Sequence, residues 1–128
     1  MILRAFCTTA ALAIATSALA QPAAAPSDYE SYVRLYLRTT LKDPGSVQMD
    51  LLRPPVWGDF TPTKTPWSKP EAGWKVCYSI NAKNSMGGYT GYQTVLFVLH
   101  SSGPVKQAFF AKDYDYPSGN RVLRECAA

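Results

Sequence analysis

The chain has 128 residues, ten prolines, three cysteines, a single histidine and a formal net charge of +4. Without its first 20 residues, which hold Arg4 and Cys7, 108 residues remain, with two cysteines and a charge of +3. That length makes one domain and excludes a Rossmann dehydrogenase, an α/β barrel or a kinase. One histidine gives no basis for a histidine-built zinc centre, and lysines spread over positions 42, 64, 69, 75, 83, 106 and 112 form no basic run for nucleic acid.

Residues 1–20 read MILRAFCTTAALAIATSALA. Arg4 precedes an apolar run from Phe6 to Ala15, and Ala18-Leu19-Ala20 is a small-x-small end before Gln21, the pattern of a cleaved secretory signal peptide. Thr8, Thr9 and Thr16 interrupt or end the run, which falls short of the ~20 apolar residues of a membrane span. Cys7 lies ahead of most of the run rather than at its end, unlike a lipoprotein cysteine. The rest of the chain carries no spanning segment, so the expected destination is a bacterial periplasm or the exterior. In an oxidising compartment the two remaining cysteines, Cys77 and Cys126, can pair only with each other within one chain. A closed loop of about 50 residues corresponds to about 4 kcal/mol in the loop-entropy picture. Cys-x-x-Cys spacing is absent, so the bond is expected to be structural rather than a redox pair.

Residues 21–27 (QPAAAPS) read as a flexible linker ahead of a single domain at 28–128. Ser27-Asp28-Tyr29-Glu30 is a capping box in which the serine accepts from a backbone amide and Glu30 reaches back. Tyr29, Tyr32, Val33, Tyr36, Leu37, Thr40 and Leu41 then recur at helical spacing. Asp43-Pro44-Gly45-Ser46 ends the helix. Val47, Met49 and Leu51 alternate as a first strand, with Arg53-Pro54-Pro55 as its stop, and 58–72 reads as a long exposed loop whose Phe60 and Trp67 either fold back or stand out. Trp74, Val76, Tyr78, Ile80 and Ala82 form the helix-facing side of a second strand, with Cys77 on the other face. Residues 83–88 turn. Tyr89 to His100 is a third strand, apolar on both faces, and Ser101-Ser102-Gly103-Pro104 leads into a fourth from Val105 to Lys112. After Pro117-Ser118-Gly119-Asn120, Arg121 to Cys126 reads as a short helix with Val122 and Leu123 inward. The expected fold is α+β: an N-terminal amphipathic helix on an antiparallel meander of about four strands, tied by one disulfide.

The most informative stretch is 77–92, CYSINAKNSMGGYTGY. It resembles small exported bacterial proteins that share a pattern close to C-x-x-[VI]-N-A-K-N-S-x-G-G-Y-x-G. Those proteins also share an upstream Leu-x-Asp-Pro-x-Ser, which stands here as Leu41-Lys42-Asp43-Pro44-Gly45-Ser46. The resemblance covers about residues 30–100. Tyr78 stands where many of those proteins have glycine, and Met86 where they have an aromatic residue. The resemblance implies export and fold and brings no activity. The arrangement of helix and sheet is also similar to cystatin-like domains, a likeness of fold that carries no function.

Chemically, Asn81, Lys83, Asn84 and Ser85 supply polar groups at a strand end, and Tyr89 and Tyr92 supply flat surfaces with polar tips. Together they are the candidate binding residues, suited to an anionic group, a sugar or a peptide. The plainer reading is that the asparagines tie off loop amides and the glycines shape the turn. The run lacks the Gly-Lys-Ser/Thr ending of a P-loop. His100, Asp113 and Asp115 make no recognisable catalytic or calcium-binding set, and no catalytic residue, metal or cofactor is assigned. The functional expectation is an exported, non-enzymatic envelope protein that binds an envelope protein or a cell-wall component through 81–92 and 58–72. The alternative is an inhibitor of an exported hydrolase, such as a lysozyme-type glycosidase, with Lys83 entering its carboxylate-lined cleft.

Overall fold

Strands follow one another across the sheet in chain order: β1 (Gln48–Phe60), β2 (Glu71–Asn81), β3 (Gln93–Leu99) and β4 (Val105–Phe110), all antiparallel. Helix α1 (Tyr29–Thr40) and a 3₁₀ turn (Pro44–Ser46) precede them; a second 3₁₀ turn (Ala111–Tyr114) and helix α2 (Arg121–Ala127) follow. The computed structural model describes residues 22, 24–63, 65, 67–84, 86–115 and 119–128. The α+β class, the meander and the disulfide are as expected; the expected signal peptide at 1–20 lies outside the described residues.

Helix α1 follows its apolar period. Val33 and Leu37 are fully buried, and Tyr29, Tyr32, Tyr36 and Leu41 pack around them, as does Ala25 from the expected linker. The capping box does not form. The cap falls on Asp28, whose side chain makes no capping bond, while its carbonyl accepts from the Ser31 N–H at 2.9 Å. With the cap one residue later, Glu30 sits too near the helix start to reach back. It accepts instead from Arg34 Nε, one turn on, at 2.9 Å.

The sheet is covered on both sides. On the helix side, Trp74, Val76, Tyr78 and Ile80 of β2 and Val95, Phe97 and Leu99 of β3 meet Val33 and Leu37. Phe97 is edge-on to both Tyr36 and Tyr78, with ring centroids 6.1 and 6.2 Å away. Burial pushes the Tyr78 phenol far up, so it stays neutral. The opposite core contains Cys77, Leu96, Val98, Phe109, Ala111, Val122 and Cys126. Alternation along β2 and β3 thus feeds two cores from the same two strands. The turn between β3 and β4 is pressed onto α1: a Cβ on Gly103 would lie 2.2 Å from the Tyr32 ring, and its φ of +119° is itself a glycine conformation.

Four expectations about element ends are corrected. The first strand does not stop at Arg53-Pro54-Pro55 but runs through to Phe60. Its pairing with β2 shifts between Leu51 and Arg53 and again between Arg53 and Val56. Those irregularities on an edge strand let Pro54 and Pro55 sit where no ladder N–H is required. Consequently Gly58–Phe60 and Glu71–Ala72 belong to strands rather than to a loop over 58–72. The continuous ladder of β3 starts at Gln93 rather than Tyr89, which makes only an isolated bridge to Lys83. The fourth strand ends at Phe110, and the chain tightens into the 3₁₀ turn that carries Asp113 off the sheet. In α2, Val122 and Cys126 are buried but Leu123 is half-exposed, because the next residue on a helix points about 100° away.

Candidate functional site

The 41–46 and 77–92 segments, far apart in sequence, meet at Ser46. The Lys83 N–H donates to Ser46 Oγ at 3.3 Å, and the Tyr89 hydroxyl donates to the Ser46 carbonyl at 3.2 Å. Ser46 Oγ itself donates to the Asp43 carbonyl at 2.8 Å. The 3₁₀ turn after α1 is therefore a bracket beneath the 81–92 segment.

Asn81 is buried at the end of β2. Its Oδ1 accepts from the Gly91 N–H at 3.1 Å and its Nδ2 donates to Gln48 Oε1 at 3.2 Å. Gly91 takes a φ of +94°, with open space where a Cβ would stand. Asn84 Oδ1 accepts from the N–H groups of Met86 (2.9 Å) and Gly88 (3.1 Å), while the Asn84 N–H donates to the Gly88 carbonyl at 2.8 Å. Both asparagine side chains are thus engaged in holding the segment's backbone. Thr90 closes it further through its N–H and hydroxyl, both donated to the Ala82 carbonyl. Ser85 lies outside the described residues.

Above this frame the segment displays Met86, 92 % exposed, with Tyr89 and Tyr92 about half-exposed. The Tyr92 hydroxyl donates to Gln48 Oε1 at 3.3 Å. Lys83 does not project freely; its ammonium lies 5.5 Å from the centre of the Tyr89 ring. Of the other proposed contact residues, Phe60 folds back, edge-on to Phe109 at 5.0 Å, whereas Trp67 stands out, 81 % exposed.

Behind the segment, between the end of α1 and the sheet, is a cleft of about 210 Å³ lined by residues including Lys42, Lys83, Lys112, Ile80 and Phe110. Lys83 was legible as a candidate; Lys42 and Lys112 were not, because only the topology brings the end of α1, the end of β2 and the turn after β4 together. A larger cavity of about 570 Å³ on the opposite side is lined by Asp59, Phe60, Thr61, Arg121, Arg124 and Glu125. Two of its four charged side chains, Glu125 and Arg121, are engaged in holding the fold. Glu125 accepts from Lys75 Nζ and Arg53 Nη2, and Arg121 Nε donates to the Thr61 carbonyl at 2.8 Å. Burial alone would raise the Glu125 carboxyl; the hydrogen bonds and charges of Lys75 and Arg53 outweigh it and hold the group below its ordinary range.

His100 is exposed at the end of β3, where its N–H donates to the Pro104 carbonyl at 2.8 Å. Asp113 and Asp115 are exposed in and after the second 3₁₀ turn. Among the described residues, no group of three His, Cys, Asp or Glu side chains could hold a metal ion, and no helix is long and apolar enough to cross a membrane. Cys77 and Cys126 are bonded to each other, with Cα atoms 5.6 Å apart. No protein family, no curated protein and no solved structure matches the chain.

Proposed function

We propose that the chain is an exported, disulfide-tied binding domain of the bacterial envelope that acts without catalysis. Its partner would be an envelope protein or a cell-wall component. The observation that carries this reading is the construction of the 81–92 segment. Asn81, Asn84, Thr90 and Ser46 hold its backbone from within, so Met86, Tyr89 and Tyr92 are displayed on a braced support. Rigid display of aromatic and thioether surface lowers the ordering cost of association. The leader-like residues 1–20 and the Cys77–Cys126 bond support an oxidising destination. The hydrolase-inhibitor alternative asks Lys83 to reach outward, and it draws no support from an ammonium seated over Tyr89.

The test keeps Asn84, whose loss would unmake the turn, and changes the displayed surface through Met86→Ala with Tyr92→Ala. Chemical crosslinking in envelope extracts is expected to capture a defined partner with the wild type and to lose it with the double variant at unchanged circular dichroism. Equal capture by a folded double variant would overturn the assignment of the surface.

A further inference from the structure

We propose that the cleft behind the 81–92 segment is a binding site for a phosphate group, held by Lys42, Lys83 and Lys112. The proposal rests on the binding reading of that segment, since Lys83 belongs to both, and it names the ligand chemistry.

The charge balance of the cleft supports it. The three lysines come from three separate parts of the chain and line one cleft, and no carboxylate lines it with them. Elsewhere four of the described cations have acidic partners, Arg34 with Glu30, Arg53 and Lys75 with Glu125, and Lys106 with Glu71, while Arg38, Lys69, Arg121 and Arg124 have none among the described residues. Among the described residues, none of the three cleft lysines is in an ion pair. The C-terminal end of α1 contributes about half a negative charge at best, against three full positive ones. The cleft therefore gathers positive charge that the fold leaves uncompensated, although like charges brought together oppose folding.

The shape of the cleft fits as well. Lys112 lies 5.9 Å over Phe110, itself a wall of the cleft, so one of the three ammonium groups has a seat there. Ile80, Leu41 and Phe110 supply an apolar lining, which strengthens electrostatic attraction over its value in open water. The volume of about 210 Å³ is below the range of drug-sized pockets and suits one compact group. Ammonium groups also discriminate between oxyanions. A carboxylate carries one charge and is matched best by a planar guanidinium fork, whereas phosphate carries nearly two in a compact tetrahedron that point-charge ammonium groups can surround.

The experiment is an NMR titration of the purified protein at low ionic strength with inorganic phosphate, with glycerol phosphate and with acetate. Amide signals of residues 83, 90 and 112 report on the cleft. Saturable phosphate binding localised to those signals is expected, with acetate at least about tenfold weaker. Lys83→Gln and Lys112→Gln are each expected to weaken phosphate binding about tenfold, the loss of one charged hydrogen bond. Lys69→Gln, on the exposed connection between β1 and β2, should leave it unchanged. Both Lys83 and Lys112 are outside the two cores, so these variants retain the fold. Equal affinity for inorganic phosphate and glycerol phosphate would identify the free anion as the ligand, and tighter binding of the ester a phosphate monoester. Absence of saturable binding, equal binding of acetate, or an equal loss in Lys69→Gln would overturn the proposal. Partner capture by the displayed Met86 and Tyr92 is read separately. Its persistence without phosphate binding removes the phosphate site and leaves the binding surface; its loss alone does the converse.

Discussion

Glu125 bears a large electrostatic load for one carboxylate. It takes hydrogen bonds from Lys75 and Arg53, whose side chains are nearly buried, and its main-chain carbonyl accepts a further bond from Arg53. Replacing it with glutamine removes the negative charge and leaves two cations in a site with little water. The expected cost near neutral pH is about 2–3 kcal/mol, below the figure for a fully buried pair because Glu125 keeps some solvent contact. The pH dependence has a definite sign. The folded-state pKa lies below the ordinary value, so this stabilisation is complete above the ordinary carboxylate range and is lost as pH falls through the lowered value. Urea denaturation should therefore show a gap between wild type and Glu125→Gln at neutral pH that narrows once the pH falls below the ordinary carboxylate range. None of this was legible in the sequence. Glu125 and Lys75 lie 50 positions apart, and nothing in local pattern pairs them. Asn81 and Asn84 were different: their frequent role of tying off loop amides was readable from type and place, and both perform it.

At the scale of elements, α2 is the case where several small attachments replace length. Seven residues make two turns, too few to persist alone. Asn120 accepts from the Leu123 N–H at 3.2 Å at one end, Val122 is buried against the sheet, and Cys126 is bonded to Cys77 in the centre of β2. Exchanging both cysteines for serine should cost about 2–4 kcal/mol. The amides of 121–127 should then lose hydrogen-exchange protection before those of β2 and β3. Equal protection in the double variant would show that packing alone holds the helix. The position of this helix was legible from its turn and apolar residues. Its inward face was only half legible, because seven residues do not define a period well enough to choose Cys126 over Leu123. The long α1 had no such ambiguity. The far half of β1 is not legible in the sequence because proline is a strong strand breaker in general, and its tolerance on a bulged edge depends on neighbours that the sequence does not show.

For the whole molecule, the two cores lie on opposite faces of the same central strands. Neither can loosen without disturbing β2 or β3, so unfolding should be a single event. In a Trp67→Phe background tryptophan fluorescence follows the helix side, where Trp57 and Trp74 sit edge-on at 5.3 Å; NMR signals of Leu96 and Val98 follow the other. Their denaturation midpoints should coincide, and separated midpoints would reveal two independent units. Global topology also explains why the lysine cleft was invisible beforehand: scattered positions 42, 83 and 112 become neighbours only once the meander has closed. The edge of that meander has a further consequence. A sheet whose outer strand offers an even row of backbone donors invites another copy of itself to add on. With Pro54 and Pro55, β1 has two positions without an N–H, and its two breaks in register twist the rim away from a flat template. The feature that looked like the end of a strand is thus a guard against self-assembly along that edge.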